Sequence, residues 1–410
     1  MTTARRTHGF GESVIRGMTR VAREHRSINL AQGFPNFPAP ELLKDAARRA
    51  IQEDINQYAI TWGAQRLREA VARKYHQWYG MDVDPDRMIT VTCGATEAMI
   101  ASLLALVDPD DEVIVFEPFY ENYGPDTILA GAKPVYVPLE PGKPLDLDRL
   151  AAAFSPRSRA IIVNSPSNPS GRVLTRAELE AIAELCIRHD VLAVTDEIYE
   201  HIRFEGDHIP IATLPEMGAR TITISGASKT FSVTGWRIGW IVAPPQLTEA
   251  IRKVHDFLTV GAPAPLQEAI AVGLDELGAD FYAGLARDYR ARRDVLHTAL
   301  VDSGFGCTAP EGAYYILADF TRLQGIPSGN RALSDTEFAV WLSREVGVTP
   351  VPGSSFFRSG GNGGSLVRFV FCKSDDILLE AARRLRSLSA LPPAAADHSL
   401  EAATRSGLQR

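Results

Sequence analysis

Short apolar runs alternate with amphipathic helical patterns through the middle of the chain. This alternation is typical of a largely parallel sheet covered by helices, so we expect an α/β fold. Thr175 and Glu178 form a capping-box pattern, and apolar residues recur at helical spacing to Ile187, which predicts a helix there. The pattern predicts seven strands at Met88–Cys93, Glu112–Phe116, Pro134–Pro138, Ala160–Asn164, Val191–Thr195, Thr221–Ser225 and Gly239–Val242.

The pattern changes after about Leu285, where a charged helix and a short strand replace the regular alternation. We predict helices at Arg287–Leu300 and near Asp335–Glu345, and a strand at Leu366–Phe371. We therefore expect four segments: residues 1–45 as an N-terminal segment joining a small α+β domain, 46–285 as the large domain, 286–390 as the small domain, and 391–410 as a disordered tail.

Composition narrows the functional class. With 410 residues, of which 45% are hydrophobic and 23% charged, the chain resembles a globular protein of more than one domain. A net charge of −7 argues against nucleic-acid binding, and no apolar run approaches the roughly 20 residues of a membrane-spanning helix. The N-terminal residues lack the apolar segment of a secretory signal. Four scattered cysteines fit neither a zinc site nor a disulfide framework, so we expect no metal and a cytoplasmic location.

Lys229 lies just beyond the predicted strand Thr221–Ser225. A lysine held near a crevice at the end of a buried strand can form a Schiff base, because desolvation favours its unprotonated, nucleophilic form. Ser225 and Arg237 would supply hydrogen-bond donors to a phosphate group. Together these residues indicate pyridoxal phosphate (PLP), although a solvated loop lysine is the simpler interpretation of Lys229 alone.

Two further strands end in polar residues, at the edge where α/β sheets bind ligands. Asn168 is preceded and followed by prolines in its loop, and its amide could donate to a phenolate oxygen or form a plain Asx turn. Asp196 ends a strand, where a buried carboxylate needs a positive partner such as the protonated pyridine nitrogen of PLP. Tyr199 could donate to the same oxygen as Asn168. A helix N-cap for Asp196 and a core position for Tyr199 remain alternatives.

Three other positions carry weaker signals. The segment Gly94–Ala98, in which small residues predominate, opens a helix after the first strand. Helix N-termini bind anions through backbone N–H groups, although many such turns look alike. Tyr120 follows the second strand and could cover a planar cofactor or pack in the core. Arg368, within the last predicted strand, could grip a substrate carboxylate, form an internal salt bridge or face outward.

Five motifs resemble, in the right order, those of the fold-type-I, class I/II aminotransferases. The resemblance covers about residues 10–390, and within the class the segments Asn29–Pro38 and Asn56–Tyr58 are similar to the branch of kynurenine/glutamine, methionine and N-succinyldiaminopimelate aminotransferases. The five motifs are Asn164-Ser-Pro-Ser-Asn-Pro-Ser-Gly171, Asp196-Glu-Ile-Tyr199, Ser225-Gly-Ala-Ser-Lys229, Gly235-Trp-Arg237 and Arg368-Phe-Val-Phe371.

The resemblance implies a role for each residue around the cofactor ring. Lys229 would carry the cofactor covalently and shuttle a proton during the reaction. Asp196 would pair with the pyridinium nitrogen, Asn168 and Tyr199 would hold the phenolate oxygen, and Tyr120 would stack on the ring.

The resemblance also implies a phosphate site. The phosphate would be bound by the backbone at Ala95 and Thr96 and by the side chains of Ser225 and Arg237. Tyr58 would reach the same phosphate from a neighbouring subunit, which implies a homodimer with composite active sites.

For the substrate, the resemblance implies that Arg368 holds the α-carboxylate, helped by Asn168 and the backbone at Gly33. Gly261 stands near the place where kynurenine-type relatives often carry histidine. No arginine or lysine lies between Val254 and Glu268. This weakens the case for aspartate and favours neutral, aromatic or sulfur-containing side chains.

We therefore expect transamination between an L-amino acid and a 2-oxo acid, in ping-pong half-reactions through Lys229. A PLP-dependent β-lyase or an oxygen-using amino acid oxidase or hydroxylase is the alternative, because a fold does not fix the reaction type. A PLP-sensing transcription regulator is disfavoured by the acidic charge and the short segment before Ile28.

Overall fold

A computed structural model describes residues 3–323, 333–358 and 363–390; the predicted tail, 391–410, lies outside the described residues. The chain divides into two compact units. Among the described residues, the first contains 3–11, 34–290 and 310–314, and the second contains 12–33, 291–309, 315–323, 333–358 and 363–390.

The strands of the described residues are β1 (Ile28–Asn29), β2 (Ile89–Thr92), β3 (Glu112–Glu117), β4 (Lys133–Pro138), β5 (Ser158–Asn164), β6 (Leu192–Asp196), β7 (Thr221–Gly226), β8 (Gly239–Val242), β9 (Tyr315–Asp319), β10 (Val348–Thr349), β11 (Val351–Pro352) and β12 (Leu366–Val370).

The α-helices are α1 (Val14–Glu24), α2 (Glu41–Gln52), α3 (Gln65–Tyr79), α4 (Ala95–Leu106), α5 (Tyr123–Leu129), α6 (Leu147–Ala152), α7 (Arg176–His189), α8 (Ala227–Thr230), α9 (Pro245–Leu258), α10 (Ala264–Glu276), α11 (Ala279–Asp302), α12 (Asp335–Trp341) and α13 (Asp375–Arg386). A π-helical turn follows at Leu342–Val346, and 3₁₀ turns occur at Arg5–His8, Ile211–Thr213, Met217–Ala219, Thr234–Trp236, Gly353–Phe356 and Ser387–Ala390.

A seven-stranded sheet forms the centre of the first unit, in the order β2-β8-β7-β6-β5-β3-β4. Only β8 runs antiparallel to its neighbours; the other pairings are parallel. Both faces are covered, since Val113 and Val115 of β3 pack in one apolar cluster and Ile114 and Phe116 in another. Continuous burial of this kind is typical of parallel strands between helices. The prediction of an α/β fold with a mostly parallel sheet is confirmed.

Local signals explain where several helices begin and end. The capping box of α7 is present, with the side chains of Thr175 and Glu178 each accepting from the other's backbone N–H. The helix ends at His189, and the next residue, Asp190, has a left-handed conformation. The helix predicted at Arg287–Leu300 begins earlier, at Ala279. The one predicted near Asp335–Glu345 is α-helical only to Trp341 and then continues as the π turn.

The second unit contains two small sheets. β1 pairs with β10 in parallel, and β9 and β11 flank β12 in antiparallel pairings. Arg368 lies at the middle of β12, opposite Leu317 of β9 and Val351 of β11. No helix among the described residues is both long and apolar enough to cross a membrane.

Asp126, in α5, is a buried carboxyl group whose Oδ2 has no hydrogen-bond partner among the described residues. Burial raises the pKa of Asp126 to about 7. In the unfolded chain an aspartate titrates near 4. Folding therefore becomes less favourable as the pH rises from about 4 to 7, because only the unfolded state ionises easily in this range.

Asp126→Asn removes this ionisation and should stabilise the protein increasingly between pH 4 and 7, with a plateau of about 1–3 kcal/mol above pH 7. The measurement is urea unfolding at pH 5, 7 and 8.5. Asp148→Asn, a change at an exposed aspartate of α6, should give no such gain. A gain from Asp126→Asn that is the same at every pH would contradict the assignment.

Candidate active site

The carboxyl ends of the three central strands lie side by side. Asn164 pairs in register with Asp196, and Asp196 with Ile224. The Asn164 side chain donates to the backbone oxygen of Asp196 at 2.8 Å, and its Oδ1 accepts the N–H of Asn168 at 2.7 Å. One amide side chain thus fixes the Asn168 loop beside the end of β6.

The Asp196 carboxylate is buried and has two hydrogen-bond donors. The hydroxyl of Tyr123 donates to Oδ2 at 2.7 Å, and the N–H of Ile198 donates to Oδ1 at 3.3 Å. Burial raises the pKa of Asp196, against the opposing effects of Tyr123, Ile198 and the charge of Lys229. A carboxylate whose burial outweighs its hydrogen bonds is stabilised further by an added cation.

Lys229 lies in the short helix α8, directly after β7, and is half-buried. Its Nζ lies 5.7 Å from the ring centroid of Tyr314 and 5.9 Å from that of Tyr199. The two rings pack edge to face at 5.1 Å. Aromatic faces at this distance attract a cation and keep water away, so they hold the amine at the strand ends.

The start of α4, whose first residues are Ala95 and Thr96, forms a cradle beside Arg237. Gly94 has a φ of +83°, and a Cβ there would lie 2.5 Å from Nη2 of Arg237. A Cβ on Gly239 would lie 2.6 Å from the nitrogen of Ala95. Because Gly94 and Gly239 have no side chains, the guanidinium of Arg237 can lie next to the N-terminus of α4. This combination of donors is suited to a phosphate.

Ser225 is oriented differently from our expectation of a phosphate donor. It is completely buried, and its hydroxyl donates to Oε1 of Glu200 at 2.5 Å. Glu200 also accepts from Nζ of Lys74 at 2.6 Å and from the Tyr79 hydroxyl. The Ser225 hydrogen is therefore used by a carboxylate of the chain, and its phosphate role stays a prediction that this contact does not favour.

Two tyrosines predicted for the site lie in contrasting environments. Tyr120 is half-buried and packs edge to face with Tyr123, at 5.7 Å, close to the hydroxyl that binds Asp196. Tyr58 lies in the loop after α2 and is 87% exposed. Its predicted contact with a neighbouring subunit stays a prediction.

In the second unit, Arg368 faces inward and is only 1% exposed. Its guanidinium carbon lies 4.5 Å from the ring centroid of Tyr315 and 4.8 Å from that of Phe356. Nη2 donates to the backbone oxygen of Ala31 at 2.7 Å, two residues before Gly33. Aromatic contacts on a guanidinium keep its plane fixed for a bidentate contact with a carboxylate.

The residues of the first unit fit PLP chemically. Asp196 is a buried anion suited to a pyridinium nitrogen, Lys229 is an amine suited to an aldehyde, and the α4 cradle with Arg237 suits a phosphate. Among the residues that the structure describes, no group of His, Cys, Asp or Glu could hold a metal ion.

Sequence reasoning missed Tyr123 and Tyr314. Tyr123 follows Tyr120 by three positions, but no local pattern connects its hydroxyl with Asp196, which is 73 positions away. Tyr314 adjoins Tyr315, and the sequence alone does not show which of the two rings lies near Lys229.

Comparison with known proteins supports this chemistry. The model of the family "Aminotransferase class I and II" matches residues 26–385. A probable N-succinyldiaminopimelate aminotransferase of Mycobacterium tuberculosis is 40% identical over 95% of this chain and 99% of its own length. The methionine aminotransferase of Escherichia coli is 38% identical over 92% and 96%, and human kynurenine–oxoglutarate transaminase 1 is 33% identical over 93% and 97%.

Solved structures of aminotransferases are also similar to this chain. The N-succinyldiaminopimelate aminotransferase of M. tuberculosis superposes with a TM-score of 0.90 at 41% identity, covering 94% of this chain and all of that one. An E. coli protein described as having a methionine aminotransferase function gives a TM-score of 0.89 at 36% identity, with the same coverage.

Tyr123→Phe should weaken the binding of PLP, because it removes the hydroxyl that helps Asp196 stay ionised. A hydrogen bond to a charged group contributes about 1.5–3 kcal/mol, so we expect a roughly tenfold or larger rise in the dissociation constant. Equilibrium titration of the apoprotein with PLP measures this. Tyr75→Phe, at a buried tyrosine of another apolar cluster, is the control. Equal affinities of Tyr123→Phe and wild type for PLP would show that Tyr123 does not contribute to PLP binding.

Proposed function

The chain belongs to the class I and II aminotransferases, and from this premise we propose that it transaminates L-amino acids with neutral, aromatic or sulfur-containing side chains. The family depends on PLP, and when bound, PLP supplies an electron-withdrawing ring that stabilises negative charge on the substrate Cα. The observation that carries the proposal is the Asp196 carboxylate, which is buried at the edge of the sheet that Lys229 also occupies. The charge of Lys229 lowers the pKa of Asp196, whereas burial raises it.

We assign the ring-binding roles as follows. Lys229 Nζ would move the proton between the substrate Cα and the C4′ carbon of the cofactor. Asp196 holds the positive charge of the ring nitrogen, and Asn168 and Tyr199 donate to the phenolic oxygen. Tyr120 packs on the ring face. The position of the Lys229 amine near two aromatic rings and the fixed Asn168 loop support this assignment.

For the phosphate, we assign the backbone N–H groups of Ala95 and Thr96 and the guanidinium of Arg237. The close approach that Gly94 permits supports this assignment. Tyr58 is proposed to complete the phosphate site of a second subunit.

For the substrate, we propose that Arg368 binds the α-carboxylate, with Gly33 and Asn168 nearby in the substrate complex. The segment between Val254 and Glu268 lacks arginine and lysine, which disfavours a second substrate carboxylate there. The relatives named for methionine and kynurenine point the same way. Nothing in the site or in these relatives favours the lyase or oxidase alternative.

We propose a homodimer, which is supported by an exposed apolar patch formed by Tyr58, Ile60, Phe257 and Val260. Phe257 is 91% exposed and Tyr58 87% exposed. The two segments of the patch adjoin, since the Cβ of an alanine at Gly261 would lie 3.4 Å from the backbone oxygen of Thr61. An apolar patch of this kind indicates a protein interface. We also propose a cytoplasmic location, consistent with the four free cysteines, which cell fractionation would check.

Lys229→Ala should abolish transamination and the Lys229-dependent visible absorption of the PLP-loaded protein, because it removes the proton-transferring amine. The matched control is Lys253→Ala, at an exposed lysine of α9. In wild type, a donor amino acid should bleach the absorption and a 2-oxo acid should restore it. Turnover that survives Lys229→Ala would exclude the proposed mechanism.

The same bleaching experiment assigns the substrate. Methionine, phenylalanine and kynurenine should react faster than aspartate, with N-succinyldiaminopimelate included as a substrate that has a distal carboxylate. Arg368→Lys should raise KM for all of them about tenfold or more, since lysine cannot form the bidentate contact. A preference for aspartate would overturn the substrate class while leaving transamination intact.

Phe257→Asp should dissociate the dimer and weaken PLP binding, because a charge cannot be buried at an apolar interface without a partner. Analytical ultracentrifugation should show a shift of mass toward the 44.7 kDa monomer. Leu147→Asp, at an exposed leucine of α6 outside the patch, should leave the mass unchanged. A wild-type protein that is monomeric at all concentrations would exclude the proposed interface.

A further inference from the structure

His255 is completely buried in α9, and both ring nitrogens are hydrogen-bonded. Nδ1 lies 2.6 Å from Oε1 of Glu97, and Nε2 lies 2.8 Å from the backbone oxygen of Thr61. Because a carbonyl oxygen only accepts, Nε2 must carry a hydrogen, and an ionised Glu97 requires one on Nδ1 as well. The ring is therefore an imidazolium. Burial opposes this charge, but the hydrogen bond and charge of Glu97 raise the pKa of His255.

Glu97 lies in the first turn of α4 and connects His255 with the phosphate cradle. Its Oε2 accepts the N–H of Cys93 at 2.5 Å, and its Oε1 also accepts from the Thr259 hydroxyl at 2.7 Å. The backbone oxygen of Cys93 in turn accepts from Nη2 of Arg237 at 3.2 Å. The Cys93 backbone, directly before the cradle, is thus held from one side by Glu97 and from the other by Arg237.

Thr61 connects His255 with the loop that carries Tyr58. The next residue, Trp62, accepts a hydrogen bond from the N–H of Val91 in β2 at 3.0 Å, which fixes this end of the loop to the sheet. His255 therefore bonds to two segments, the start of α4 and the Tyr58 loop, that are both assigned to the phosphate.

We propose that His255 and Glu97 are a positioning pair for the recognition of the cofactor's phosphate group. The proposal rests on the function proposed above. His255 keeps Glu97 in place, Glu97 fixes the Cys93 backbone before the cradle, and His255 also holds the Tyr58 loop. The imidazolium further balances the negative charge of Glu97, which would otherwise oppose a phosphate at the same helix N-terminus.

The pair can be tested by comparing two probes, PLP and pyridoxal, which lacks the phosphate. Titration of the apoprotein gives a dissociation constant for each. His255→Leu should weaken PLP binding about tenfold and pyridoxal binding less than about twofold, a selective loss that a general destabilisation would not produce. Adding Glu97→Gln should restore most of the PLP affinity, because it removes the unbalanced charge while keeping an acceptor for Cys93.

His208→Leu is the matched control. The side chain of His208 is also buried and lies beside a carboxylate, with Nε2 2.8 Å from Oε2 of Glu197, but this hydrogen bond reaches neither segment of the proposed phosphate site. This variant should keep the wild-type ratio of the two dissociation constants even if its melting temperature falls. If His255→Leu does not fold, His255→Gln, which is neutral and polar, is measured in the same way.

The outcomes separate this inference from the proposed function. A wild-type protein without Lys229-dependent PLP absorption would overturn the proposed function itself. If wild type binds PLP through Lys229 but the His255 variants keep the wild-type ratio of affinities, the pair is structural only and the inference is wrong. A selective loss that Glu97→Gln does not repair would also overturn it.

Discussion

The rest of the site depends on the burial of the Asp196 carboxylate at the end of β6. A carboxylate taken out of water loses several kcal/mol of solvation unless it gains hydrogen bonds or a cation. Asp196 is buried at the end of β6, between β5 and β7, and the Tyr123 hydroxyl and the Ile198 N–H replace only part of its hydration. The parallel sheet thus creates a position that favours a positively charged ligand.

Two other buried carboxylates, Glu200 and Glu97, are each paired with a cationic side chain of the protein itself. Glu200 is bonded to Nζ of Lys74, and Glu97 to the ring of His255, each at 2.6 Å. Although burial opposes ionisation at both sites, these cations lower the pKa of Glu200 and of Glu97. Asp196 shifts in the opposite direction, with a phenol and a backbone amide as its donors. A carboxylate with this set of donors is suited to a cation that arrives with a ligand, which agrees with a pyridinium.

The sequence predicts those features that local patterns determine. All seven central strands lie within two residues of their predicted ends, because each is a short apolar run bounded by turn residues. The rule that ligands bind at strand ends selected Asp196 and Lys229, and the structure places Asp196 at the end of β6 and Lys229 in the short helix after β7. The rule did not predict that the Ser225 hydroxyl donates to Glu200, because this partner is known only when the position of the turn after β6 is known. Lys74 lies 126 positions from Glu200, and no periodicity records such a contact.

The proposed phosphate site at the start of α4 also contains a buried carboxylate, that of Glu97. An acidic residue in the first turn stabilises a helix through its dipole, but the same negative charge competes with an anion bound at that terminus. Glu97 serves the helix and the Cys93 backbone, so its charge must be balanced from elsewhere. Arg237 lies on the exposed side of the cradle and His255 on the buried side. Because the buried cation is fixed by two hydrogen bonds, it can balance Glu97 without occupying the space of the proposed phosphate site.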